Sequence, residues 1–165
     1  GRLDLPDDIE GIDYVVVADH QVTIGKDHLQ PRRVREMLAA GELSRQRVVE
    51  GVVNGFIGAV ERTERPFMAH MFSILPKVGI SEDEVSDAAL DALATACRKN
   101  AAIVEISERW RCPSIRTLRA MLDHEVKLVC STDAHHAKSI GLYDHVRRTL
   151  AQLSLGSTQP MRVAV

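Results

Sequence analysis

Two kinds of hydrophobic pattern alternate along the chain. Short apolar runs at 14–18 (YVVVA), 67–69 (FMA), 102–106 (AIVEI) and 127–131 (KLVCS) each stop at polar residues, as buried strands do. Between them apolar positions recur at helical spacing. Pro31 suits the first turn of a helix and Gly41 its stop, so 31–40 is predicted as one helix, and Ser44 opens a second. The second aligns Val48, Val49, Val52, Val53, Phe56, Ile57 and Val60 on one side. Its three glycines, Gly51, Gly55 and Gly58, each cost up to about 1 kcal/mol relative to Ala. They predict a neighbour pressed close, as where a helix lies on a sheet or barrel wall. A third helix is predicted from Ser81, with Asp83 and Glu84 in its first turn, to near Asn100. A fourth follows Pro113-Ser114 with Leu118, Met121 and Leu122 as its stripe, a fifth runs from about Ser139 to Leu153, and MRVAV at 161–165 supplies a last strand. Strands alternating with helices predict an α/β fold with a parallel sheet.

Composition narrows the classes. The 165 residues, 45% apolar and 27% charged, describe one folded domain or part of one, without a repeat, a low-complexity tract or a linker. Twenty-one basic against 23 acidic side chains give a net charge of -2, which provides no long-range positive field to gather nucleic acid. Nucleic acid therefore stays a possible partner only through a local patch. No run approaches the roughly 20 apolar residues of a bilayer-crossing helix. The opening GRLDLPDDIEG is acidic where a secretory signal is basic and then apolar, so the expected location is the cytoplasm. Cys97, Cys112 and Cys130 are odd in number and form no C-x-x-C pair, which predicts reduced thiols rather than a disulfide framework or a cysteine zinc site.

The chemistry gathers at strand ends, which in a parallel α/β arrangement share one rim. The first strand delivers Asp19 and His20, the second His70, and the fourth Asp133, His135 and His136. In an extended segment Asp133 and His135 fall on one side and His136 on the other. Imidazoles with a carboxylate and no thiolate suit Zn, Mn or Fe. Several ionisable groups on one rim without a cation would stay poorly solvated, whereas a cation removes that penalty. Any one of these histidines taken singly is an ordinary structural residue, as are His28, His124 and His145. Glu105 interrupts an apolar strand and either joins the polar cluster or pairs with Arg109 or Arg111. Those two arginines flank Trp110 after the third strand, where they either clasp phosphate or belong to a solvated loop that Trp110 covers. A G-x-S-x-G elbow, a P-loop and a G-x-G-x-x-G fingerprint are all lacking.

ADHQV at 18–22, FMAHMFSILPKVG at 67–79, VEISERWRCPS at 104–114 and STDAHHAKSIGLYDHV at 131–146 together resemble the PHP (polymerase and histidinol phosphatase) family, in family order. The last segment is the most specific, with Gly141 at the family's distance. The resemblance implies a distorted seven-stranded (β/α) barrel holding up to three divalent metal ions and hydrolysing phosphoesters. It implies that His20, His70, Asp133 and His135 are metal ligands, with Arg109 or Arg111 contacting a small phosphorylated substrate. Met71 stands where the family usually has proline, and Ser107 where an E-I-N stretch has its asparagine.

The family's early H-x-H, two further histidines and a bridging glutamate have no match here. A complete barrel of this kind runs to roughly 250 residues. The expectation is thus the C-terminal portion, 1–165, of a single PHP-like domain, an incomplete barrel that needs the rest of the domain as its partner. Two other readings stay open: a metal-dependent amidohydrolase, and a non-catalytic metal-binding or polymerase-associated module.

Overall fold

The structure is a computed structural model that describes residues 10–154 and 163–164. Five strands form one sheet in which every pairing is parallel: β1 (Val15–Ala18), β4 (Pro66–Ala69), β5 (Ile103–Ser107), β6 (Lys127–Ser131) and β7 (Val163–Ala164), side by side in sequence order. The expected α/β class with a parallel sheet is therefore present. Of the predicted final strand, 163–164 falls among the described residues, as does only the end of the acidic opening segment.

The helices are α1 (Pro31–Ala39), α2 (Arg45–Glu61), α3 (Ile74–Lys77), α4 (Asp87–Lys99), α5 (Ile115–Asp123) and α6 (Asp144–Ser154). Serine hydroxyls cap three of them: Ser44 accepts from the Arg47 N–H, Ser86 from Ala89 and Ser114 from Thr117. Such caps are each worth about 1 kcal/mol. Two predicted helix starts move downstream. Ser81 caps only a short 3-10 turn at Glu82–Glu84, because Val85 returns to an extended backbone and Ser86 starts α4 afresh. Likewise 137–139 is a 3-10 turn, Gly141 takes a positive φ, and α6 begins at Asp144.

Right-handed crossovers between parallel strands in sequence order put every crossover helix on the same face of the sheet. The packing agrees, since α2 touches α4, α4 touches α5 and α5 touches α6. Val17, Met68, Val104, Ile106 and Leu128 are buried with this helical layer in one hydrophobic core. The registers Ala18↔Ala69 and Glu105↔Val129 run through the other set of alternating positions, which is more mixed. It contains the buried Glu105 and, at the outer strand, Val16 at 65% exposure.

An antiparallel hairpin that the hydrophobic pattern did not predict follows β1. Strands β2 (Val22–Ile24) and β3 (Asp27–Leu29) pair Val22↔Leu29, Thr23↔His28 and Ile24↔Asp27 around the two-residue turn Gly25-Lys26. Gly25 has a φ of 63°, which suits a tight hairpin turn. This hairpin, not the sheet wall, presses on α2: a Cβ on Gly51 would collide with the Thr23 carbonyl oxygen and crowd Ile24. At Gly55 a Cβ would stand 3.9 Å from Thr23 Oγ1, in ordinary contact.

The two glycines should therefore respond oppositely to alanine. Gly51→Ala forces backbone apart and should cost about 1–3 kcal/mol, whereas Gly55→Ala should stabilise by up to about 1 kcal/mol through helix propensity. Urea unfolding of both variants measures this. Equal responses would mean that the hairpin does not rest on α2.

Candidate functional site

Parallel register brings the ends of β1, β4, β5 and β6 to one rim. Asp19 and His20 follow β1, His70 follows β4, and the Glu108 N–H donates to the Ser131 carbonyl at 2.9 Å, tying the β5 end to that of β6. His70 has a φ of 33°, so the chain turns sharply out of β4 and carries the imidazole back over the strand ends.

Asp19 organises the first half of the site and is only 6% exposed. Its Oδ1 accepts from the Ser73 hydroxyl at 2.7 Å and lies 3.3 Å from His70 Nδ1, while its Oδ2 accepts from the Ile74 N–H at 3.0 Å. Ser73 Oγ is 3.0 Å from the same His70 Nδ1. The imidazole is thus gripped through Nδ1, and Nε2 makes no hydrogen bond to a described residue. Glu105 accepts the backbone N–H of His70 from the neighbouring strand. Of the two roles considered for Glu105, membership of the polar cluster is the one that its hydrogen bond supports. His20 packs its ring against His70, with centroids 5.6 Å apart.

The second half is built around Asp133, itself at a φ of 45°. The segment after β6 is not extended, so strict alternation does not explain why Asp133 and His135 share a side; the turn does. Asp133 Oδ1 lies 3.7 Å from His135 Nδ1, which also contacts the Asp133 carbonyl at 2.9 Å. His135 Nε2 makes no hydrogen bond to a described residue. His136, by contrast, is the exposed residue preceding the 137–139 turn.

Trp110 joins the halves. Its Nε1 donates to Asp133 Oδ2 at 2.6 Å, and its ring lies 5.6 Å from that of His70. Lys77 Nζ sits 4.0 Å over the same indole and the Arg109 guanidinium carbon 5.5 Å from it. Arg109 Nε is 4.0 Å from Asp133 Oδ2. Of the two predicted substrate arginines, only Arg109 is thereby placed beside a predicted ligand. Arg111 influences Glu108 and His145 instead.

Burial pushes the His70 imidazole toward its neutral form, but the hydrogen bond to Asp19 and the negative charges of Asp19, Glu105 and Asp133 outweigh it. His70 is held above the ordinary histidine value. The rim is thus a place of negative potential. Among the described residues no three of His, Cys, Asp and Glu come together closely enough to enclose a metal ion. The predicted ligands stand as two pairs, His20 with His70 and Asp133 with His135, linked through Trp110.

The predictions from sequence missed Asp19 as an anchor, together with Ser73 and Lys77. An acid that directly ends a Val-rich strand was the available signal for Asp19; Ser73 and Lys77 carried none. Compared with known proteins, the chain matches no family model, no curated protein and no solved structure.

Glu108 fixes the loop that presents Arg109 and Trp110. Its two carboxylate oxygens accept from the His145 and Val146 N–H groups at 3.0 and 2.9 Å, capping α6 from a distant part of the chain. Partial burial raises the carboxyl, but these backbone donors and nearby positive groups win, and it is held below its ordinary value. A depressed carboxylate stabilises the fold above its unfolded pKa and stops doing so as pH falls through the folded one. Glu108→Ala should cost about 1 kcal/mol at neutral pH. The gap from the parent should shrink as acid protonates Glu108, in urea unfolding repeated from pH 7 to pH 3; a gap independent of pH would contradict the carboxylate cap.

Proposed function

We propose that this chain is the C-terminal part of a PHP-type metal-dependent phosphoesterase, with His20, His70, Asp133 and His135 as ligands of divalent zinc, manganese or iron. The observation that carries the reading is the orientation of two histidines. His70 and His135 are each held through Nδ1, by Asp19 with Ser73 and by the Asp133 carbonyl, so that each keeps Nε2 for another partner. Metal-binding histidines are characteristically oriented in this way.

The donors fit such an ion in kind: imidazole nitrogens and a carboxylate, in a negative field, on one rim. As two pairs they form a partial shell, and the reading requires further ligands from outside the described residues. Strands in sequence order, helices on one face and a buried acid on the other support a segment of a (β/α) barrel wall. Three free cysteines are compatible with a reducing, cytoplasmic setting, and no helix among the described residues is long and apolar enough to cross a membrane.

A divalent ion held by these residues would lower the pKa of its water to about 7 and offset charge on phosphoryl oxygens. The chain's own residues hold the geometry. Asp19 and Ser73 fix the His70 ring, Trp110 fixes Asp133, and Arg109, beside Asp133, would meet an anionic phosphate oxygen.

The full-length protein that contains this chain, and with it the further ligands that the reading requires, should carry Zn or Mn by elemental analysis and hydrolyse p-nitrophenyl phosphate when Mn is supplied. Asp133→Ala should release the metal, and Asp19→Asn should weaken metal binding by about 10- to 100-fold. Metal content unchanged by Asp133→Ala would overturn the ligand assignment. Full metal occupancy without phosphoester hydrolysis would overturn the activity.

A further inference from the structure

The β2–β3 hairpin lies over α2 and bounds a cavity of about 240 Å³ whose lining includes Asp19 and His20. Its floor is apolar, made by Val17, Val52 and Phe56, and its rim is polar, made by His20, Gln21, His28 and Gln30. His28 Nδ1 is 3.1 Å from Thr23 Oγ1, its partner across the hairpin, so this ring too keeps its Nε2. The carboxamides of Gln21 and Gln30 make no hydrogen bond to a described residue.

Charge and size specify what this space takes. No Lys, Arg or Glu lines the cavity, and its Asp19 already has both oxygens engaged by Ser73, Ile74 and His70. An anionic guest would find no basic side chain there and a cationic one only a carboxylate already engaged, whereas a neutral guest with donors and acceptors would meet two carboxamides and the His28 imidazole over an apolar floor. The volume lies between the roughly 150 Å³ that accepts a benzene and the roughly 300 Å³ where drug-sized pockets begin. That is room for one ring with a short arm.

We propose that this cavity binds the ring of the substrate's alcohol portion, the uncharged, hydrogen-bonding base of a pyrimidine nucleoside, while the sugar and the ester's phosphate lie outside it toward His70 and Arg109. The assignment of the ring to a phosphate ester rests on the phosphoesterase reading; the affinity of the cavity for the ring does not.

Two measurements separate these, the first on this chain and the second on the full-length protein that contains it. Uridine, added without metal or phosphate, should shift the side-chain amide resonances of Gln21 and Gln30. Its affinity should fall at least tenfold in His28→Ala and in Gln30→Ala, each with an otherwise unchanged backbone spectrum. With Mn supplied, kcat/KM for uridine monophosphate should exceed that for ethyl phosphate at least tenfold. Hydrolysis of both esters at similar efficiency, or no response of Gln21 and Gln30 to uridine, would overturn the cavity's role. Uridine binding without hydrolysis of either ester would instead overturn the phosphoesterase reading, and with it the ring's place as a leaving group.

Discussion

A carboxylate removed from water needs a donor at each oxygen, and in this protein that requirement falls on Asp19. An ionised group buried without partners would cost several kcal/mol. Asp19 is buried at the end of β1 and is met by a hydroxyl, a backbone N–H and an imidazole, all from 70–74. To supply them, the chain must leave β4 through the positive φ angles of His70 and Phe72 and enter α3 directly. The position of His70, and through its ring contacts those of His20 and Trp110, follows from satisfying one acid.

The same device recurs around the rim. Glu82 accepts from the Ser114 N–H and the Thr117 hydroxyl at the start of α5, and Glu108 accepts from two N–H groups at the start of α6. Each acid belongs to a loop remote in sequence from the helix that it caps, and negative charge at a helix N-terminus is favourable. The segment that follows Lys77 and the loop presenting Arg109 and Trp110 are thereby anchored to the helical layer rather than left to solvent, which gives the exposed chemistry a rigid support.

The parts of the fold legible in the sequence were those with a long period or a strong local signal. Four buried strands and α2 announced themselves through runs of Val and through regular spacing, and the rule that strand ends collect polar chemistry pointed to His20, His70, Asp133 and His135, which the structure brings together as two pairs. The hairpin escaped because three residues per strand give too little alternation to register, although Gly25-Lys26 is a workable turn and Gly51 marked the place where it lands. The α4 start was misplaced because Ser81-Glu84 is a genuine capping box and the chain happens to begin a second time at Ser86. Ser73 and Lys77 were invisible for a different reason: their partners, Asp19 and Trp110, lie 54 and 33 residues away, and no local pattern encodes such a meeting.

Of the histidines whose rings make a hydrogen bond among the described residues, His70 and His135 at the rim and His28 on the hairpin keep Nε2, while two engage it. His124 and His145 engage Nε2, the far end of the ring, with Asp91 Oδ1 at 2.8 Å and Thr149 Oγ1 at 3.3 Å. Those contacts tie α5 to α4 and one turn of α6 to the next, and leave no outward nitrogen along the ring axis. His70 and His135 do the reverse, with the near nitrogen bound to the scaffold and the far one without a hydrogen bond to a described residue. Packing alone does not require that choice, since a histidine retained only to fill space or join helices is equally stable with either nitrogen engaged. Two rings from different strand ends that both hold Nδ1 and keep Nε2 are, on the metal-binding reading proposed above, what a cation-binding rim would require of its scaffold.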